Sequence, residues 1–277
     1  MRAALLQMTA SDDPEANLPD TRQAVADAAG QGAELILTPE VTNCVSASRT
    51  RQNQVLRPEA EDATLAALRE DAARLGVWLN IGSLALKTDD PDGRFANRSF
   101  LIGPTGEIAA RYDKIHMFDV VISETESYRE SAGYRPGDRA VLAETPVGRI
   151  GLTICYDIRF PHLYRQLAQA GADILLVPSA FSAVTGAAHW ESLLRARAIE
   201  TGCFVLAAAQ TGTHPATRGK ARQTYGHSLA VAPWGEVLAD AGEAPGVTIV
   251  DLDLAEVASA RSRVPSLDHD RTFEPPA

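Results

Sequence analysis

GRIGLTICYDIRFP, residues 148–161, reads as a strand, a reactive turn and the start of a helix. Ile150, Leu152 and Ile154 form a short apolar run bounded by the thiol of Cys155, which predicts a strand over residues 150–154. Six residues on, Pro161 suits a first helical turn, and a helix is predicted over residues 161–170. The same alternation of short apolar runs with helix-like stretches recurs in both directions along the chain, so the fold class is α/β. Further strands are predicted over residues 2–8, 34–38, 77–83, 98–102, 108–113, 173–177, 203–209, 227–232 and 247–251, many flanked by Gly or Pro. A helix over about 59–75 places Leu65, Leu68, Ala72 and Leu75 on one face and stops at Gly76, a natural residue for the turn beyond a helix end. Another, over about 188–200, turns Trp190, Leu193 and Leu194 inward and pairs Glu191 with Arg195 four residues on. Residues 115–139 show no clear periodicity; loops of that length in a compact domain are usually functional, so a role near the site is expected.

The chain has 277 residues, 45% hydrophobic and 22% charged, ordinary for a globular protein with a sizeable core. No linker divides it, and residues 1–277 are expected to form one domain. No segment approaches the unbroken apolar run that a bilayer requires, and residues 1–8 read as a first strand and not as an export signal. A net charge of −10 argues against a phosphate-backbone binder, so neither nucleic acid nor membrane is an expected partner and a small molecule is. Cys44, Cys155 and Cys203 are odd in number and far apart, which excludes a disulfide framework and a C-x-x-C metal site and fits a reducing cytoplasm.

Ligands of open α/β sheets gather at the carboxyl ends of strands, so a reactive residue just after an apolar strand is informative. Three positions qualify: Glu40 after residues 34–39, Lys114 after residues 108–113, and Cys155 after residues 149–154. Their chemistry is complementary. A thiol must lose its proton to attack a carbonyl, and the resulting oxyanion needs a cationic or N–H donor, so Glu40 would be the base and Lys114 the donor. A free thiol titrates near ~8.5 and a free glutamate near ~4.3, making unassisted transfer uphill by roughly 5–6 kcal/mol. Lys114 and the helix near Pro161 are expected to lower the thiol's pKa, while burial raises that of Glu40 and Lys114 draws it back down. Taken singly, a cysteine is more often a small core residue, the reading adopted for Cys44 and Cys203, and a lone Glu or Lys is more often solvated or salt-bridged. Joint placement is what favours function.

The same residues sit in stretches that resemble the nitrilase superfamily of carbon–nitrogen hydrolases: LTPE ending at Glu40, YDKIHMFD around Lys114, GRIGLTICYDIRFP around Cys155, PSAFSAVTG from Pro178, AHWESLLRARAIET from Ala188 and YGHSLAVAPWGEVLA from Tyr225. The resemblance runs from Met1 to about Asp253. It implies an α-β-β-α sandwich, a Glu40–Lys114–Cys155 triad, a second glutamate at Glu130 in YRESAGYRPGD, the N–H of Tyr156 as a further oxyanion donor, and no metal or organic cofactor. It also implies a homodimer, with helices near Cys155 and the last third of the chain at the contact. Members similar in motif are amidases of small carboxylate-bearing amides; Arg159 matches a position associated with that carboxylate, and Phe181 and Thr185 match positions lining the pocket. Residues 178–212 look closer to the deaminated-glutathione amidase branch than to the ω-amidase branch, so a deaminated-glutathione-like amide is the expected substrate, with α-ketoglutaramate or α-ketosuccinamate as the alternative and a nitrile after them. Near the end, VPSLDHDRTFEPPA departs from the family's basic tail.

Three other readings compete. A Cys–His hydrolase would use His116 or His189 as base. A nitrilase-like scaffold without activity is opposed by the intact triad. A Rossmann-type nucleotide binder lacks its motif, since no G-x-G-x-x-G or P-loop follows any strand. Finally, the loop of residues 213–223 carries Arg218, Lys220 and Arg222 in an otherwise acidic protein, an attraction for a distant substrate carboxylate if it is not simply a solvated basic loop.

Overall fold

The computed structural model describes residues 1–124 and 126–276. Strands β1 (Arg2–Gln7), β2 (Leu35–Leu37), β3 (Trp78–Leu86), β4 (Ala96–Ile102) and β5 (Ile108–Asp113) belong to a first sheet. A small hairpin follows, β6 (Asp119–Val121) with β7 (Ser127–Arg129). The second sheet holds β8 (Val141–Thr145), β9 (Gly148–Leu152), β10 (Ile174–Leu176) and β11 (Phe204–Ala207). After a second hairpin, β12 (Thr211–Thr213) with β13 (Gln223–Tyr225), come β14 (Leu229–Val231), β15 (Val237–Asp240) and β16 (Gly246–Asp251). The sheet orders are β16-β1-β2-β3-β4-β5 and β15-β14-β11-β10-β9-β8. Both have a parallel centre, β1-β2-β3 and β9-β10-β11, with antiparallel edges.

Alternation along β1 explains the layering. Ala3 and Leu5 point into the core shared with the second sheet, together with Leu35, Leu37, Ile150 and Leu152. Ala4 and Leu6 point the other way, toward α1 (Pro14–Gly30) and, beyond the short α2 (Arg49–Val55), α3 (Ala63–Leu75), where Val25, Ala28, Leu65, Leu68 and Ala72 cover them. The second sheet is covered in turn by α4 (Pro161–Gln169) and α5 (Ala183–Thr201), through Leu163, Leu167, Trp190 and Leu194. A last helix, α6 (Ala255–Arg263), follows β16. Strands buried on both faces read as continuous apolar runs, which is why they were visible in the sequence. The four layers are those of the expected α-β-β-α sandwich.

Several elements differ from expectation. α3 starts at Ala63, capped by Asp62, whose side chain accepts from Leu65 N–H; residues 59–61 form a separate 3₁₀ turn. α5 begins at Ala183, five residues early, and β3 runs on to Leu86 through a register shift between Ile81 and Leu84. α1 has no counterpart in the sequence reading. Its buried positions are Asn17, Thr21, Val25 and Ala28, half of them polar, and Pro19 lies inside it, so no apolar stripe announces it. Within residues 115–139 the structure has the β6–β7 hairpin and a 3₁₀ turn at Glu130–Ala132.

Candidate active site

The turn after β2 presents Glu40, and the bulge in β3 shapes that turn. Gly82 N–H donates to Thr38 Oγ1 at 3.0 Å, Thr42 N–H to Ser83 O at 2.9 Å and Val41 N–H to Ser83 Oγ at 2.8 Å. A Cβ on Gly82 would lie 2.1 Å from Thr38 O, 2.5 Å from Pro178 Cβ and 2.6 Å from Pro39 O, so only glycine admits this approach. Opposite, β9 ends at Leu152, and Cys155 opens a 3₁₀ turn with φ +50°, its N–H donating to Pro178 O at 3.0 Å. Val41 beside Glu40 also has positive φ, +48°. Strained backbone at Cys155 and at the residue next to Glu40 is a feature that surrounding structure must hold in place, and such residues cluster at functional sites.

Asp157, fully buried, fastens the cysteine turn to the strand carrying Lys114. It accepts from Ile154 N–H at 2.9 Å, from Tyr112 Oη at 2.6 Å and from His116 N–H at 3.0 Å, and pairs with His116 Nδ1 at 2.7 Å. His116 is thus committed to Asp157 and stacks on Phe160 at 3.5 Å; His189 pairs with Arg159. Neither histidine lines the cleft.

Glu40, Lys114 and Cys155 are 4%, 2% and 6% exposed and share the floor of a cleft of about 1150 Å³. Lys114 Nζ donates to Glu40 Oε1 at 2.8 Å and lies 2.9 Å from Glu130 Oε2. Asn97 Nδ2 bridges the same two carboxylates, at 2.9 and 3.2 Å, and the amides of Ala180 and Phe118 donate to Glu40 Oε2 and Glu130 Oε2. Tyr156 lines the cleft, and its N–H has no acceptor among the described residues. Phe181 lines it too, packed on Trp190 with ring centroids 4.9 Å apart. Arg159 and Thr185 do not. The guanidinium of Arg159 stands over the Phe181 ring, 5.5 Å from its centroid, and Thr185 Oγ1 is buried without a hydrogen-bond partner among the described residues.

The electrostatics reverse one expectation. Burial, followed by the neighbouring Glu40 charge, pushes the Cys155 thiol well above its ordinary value, and Lys114 only partly opposes them. Lys114 is itself matched by two carboxylates, so little of its field is left for the sulfur. Burial alone would raise Glu40, but Lys114 and Arg222 outweigh it and hold the carboxyl below its usual range. Glu130 and Glu40 overcome the burial of Lys114 and raise its pKa. At rest the site is an ionised carboxylate, an ammonium and a neutral thiol.

Cys44, expected in the core, is buried but also lines the cleft, its thiol pushed up to about 12 by burial. Cys203 is core, as expected. Asn97 escaped the sequence reading because it stands one residue before the predicted strand 98–102. The amide of Ala180 carries no side-chain signal at all. Of the basic loop, Lys220 and Arg222 line the cleft, whereas Arg218 is turned aside, its backbone N–H bonded to Asp12.

A two-sheet sandwich with this buried thiol, carboxylate and ammonium beneath a cleft defines a hydrolase of carbon–nitrogen bonds in linear amides. The carbon-nitrogen hydrolase family matches residues 2–262, and the chain belongs to that family within the nitrilase superfamily. Over 270 residues it is 41% identical to a deaminated glutathione amidase of Yersinia enterocolitica, a match covering 97% of this chain and 92% of that one. The crystal structure of the C. elegans NitFhit protein superposes with a TM-score of 0.89 at 37% identity, over 98% of this chain and 65% of that one. An amidase from Nesterenkonia superposes at 0.77 with 29% identity, over 96% of this chain and 98% of that one; in a glutamate-to-glutamine mutant of that enzyme, acrylamide has added to the active-site cysteine.

Proposed function

We propose that the protein is an amidase that cleaves a small carboxylate-bearing amide of the deaminated-glutathione type through a thioester on Cys155. The observation that carries this reading is the Glu40–Lys114–Cys155 cluster on the cleft floor, with Glu40 ionised and the thiol neutral. Because no thiolate stands ready, Glu40 takes the thiol proton as Sγ attacks the amide carbon, in one concerted event. The carbonyl oxygen gains the negative charge, held by Lys114 Nζ and the Tyr156 N–H. Glu40 then passes the proton to the nitrogen, the C–N bond breaks, and ammonia or an amine departs. A water enters, Glu40 removes its proton, hydroxide oxygen attacks the thioester, and collapse returns the proton to sulfur and releases the acid. Glu130 and Asn97 keep Lys114 and Glu40 in register throughout.

The 41% identical relative supports the deaminated-glutathione class. The test is the ratio of kcat/KM for deaminated glutathione to that for α-ketoglutaramate; a ratio above one is expected, and a ratio below one moves the assignment to an ω-amidase. The same reading assigns the protein to the cytoplasm, supported by three unpaired cysteines, and no helix among the described residues is long and apolar enough to cross a membrane. It also includes a two-fold homodimer. Supporting it, exposed Ile199, Trp234 and Val264 border a second groove of about 770 Å³ between α5 and the end of α6.

A further inference from the structure

The carboxylates around the cleft are satisfied. Glu40 and Glu130 share Lys114, and Glu126 accepts from Tyr128 Oη at 3.0 Å and Ser182 Oγ at 2.8 Å. Arg222 is the contrast. Half-buried in the cleft wall, it has no carboxylate within ion-pair distance among the described residues. Its Nη2 donates to Ala180 O at 2.5 Å, and its Nε is buried with no acceptor among the described residues. A guanidinium presents five N–H donors in a fixed plane, and leaving one buried and unmet is costly unless a ligand supplies the oxygen.

The side chain is not a wandering loop residue. The backbone carbonyl of Arg222 accepts from His214 N–H at 2.9 Å, just before β13, and the His214 ring is wedged between Ala10 O and Thr224 Oγ1 at 2.7 Å each. Burial holds that imidazole down to about 4, so it stays neutral and the anchor does not titrate near neutral pH. The guanidinium also stands 5.6 Å from the Tyr128 ring centroid, which limits its swing. Ala180 links it to the chemistry, because that residue's carbonyl binds Arg222 while its N–H binds Glu40.

We propose that Arg222 is the residue that recognises the substrate's carboxylate, its fork receiving the anion within the cleft while Lys220 at the mouth adds attraction, and that Arg159, outside the cleft, is not the principal anion contact. This rests on the amidase reading and deepens it: the acyl portion of the substrate carries a carboxylate in reach of Arg222 when its amide carbon is at Cys155. A bidentate carboxylate on arginine is a stronger and more directional contact than a point-charge pair, which suits selection among small amides.

The test uses alkylation of Cys155 by iodoacetamide, followed by intact mass and tryptic mapping, with glutarate as a charged protecting ligand and pentanamide as an uncharged one. Glutarate is expected to slow labelling of the unmodified protein. Arg222→Gln should raise its half-protecting concentration, relative to that of pentanamide, by about tenfold or more, and Arg222→Lys should fall between the two. Absence of glutarate protection in the unmodified protein would overturn the assignment. So would an equal loss of protection by both ligands in Arg222→Gln, which marks a role confined to holding Ala180 and Glu40, or appearance of the charge-selective effect in Arg159→Gln instead. Mapping keeps the two claims apart. Label on Cys44 or Cys203 in place of Cys155 contradicts the thioester reading, whereas label on Cys155 with protection indifferent to Arg222 contradicts the carboxylate assignment alone.

Discussion

Cys155 carries a neutral thiol because burial and Glu40 together outweigh Lys114, and this sets how activity should depend on pH. The competent free enzyme has Glu40 ionised. Since that carboxyl is held down, the acid limb of kcat/KM should lie below the ordinary glutamate value of ~4.3; since the thiol is pushed up, the alkaline limb should lie above ~8.5. A flat profile between those limits is expected. A limb between pH 6 and 8 would point to a histidine base instead. Lys114→Ala should cost on the order of 3–4 kcal/mol of transition-state stabilisation, read from kcat/KM, and Glu40→Gln should cripple both acylation and thioester hydrolysis. At this scale the three central residues were legible, because each follows an apolar strand and their chemistries fit. Their proton affinities were not legible, because these depend on how many carboxylates Lys114 meets. That number includes Glu130, which reaches the lysine only through the folded β6–β7 segment.

Elements decide how closely those residues are held. The bulge at Gly82 lets the turn bearing Glu40 and the turn bearing Cys155 approach through Pro178, so Gly82→Ala sets a methyl against two backbone oxygens that cannot yield. A loss of roughly 1–3 kcal/mol in unfolding stability is expected from overpacking, with a larger fall in kcat than in 1/KM; unchanged kcat would show that the bulge does not position the site. β1 and the central parallel strands were readable because both their faces are buried. α1 was not, since Asn17 and Thr21 face inward to satisfy polar neighbours: Asn17 Nδ2 donates to Asn43 O at 2.9 Å and Thr21 Oγ1 to Asn17 O at 2.8 Å. The first bond reaches across the fold and the second runs back one turn along the same helix, and inward polar positions of either kind leave no apolar stripe. The hairpin that seats Arg222 was equally hidden, as β12 and β13 have three residues each and are joined by a polar loop.

For the whole molecule, the sandwich gives both sheets a covered inner face and a helical outer layer, and the exposed apolar residues Ile199, Trp234 and Val264, which border one groove, form an edge suited to association. Sedimentation at micromolar concentration should give a dimer or a larger even-numbered species, and Ile199→Glu should shift it toward monomer; a fully active, stable monomer in the unmodified protein would contradict the proposed assembly. The central claim is chemical and needs no assembly to be tested. Enzyme quenched in acid during turnover of deaminated glutathione, digested and mapped by mass spectrometry, should carry the acyl portion of the substrate on the peptide containing Cys155, and Cys155→Ala should be inactive. An adduct on Cys44 or Cys203, or activity surviving in Cys155→Ala, would contradict the account.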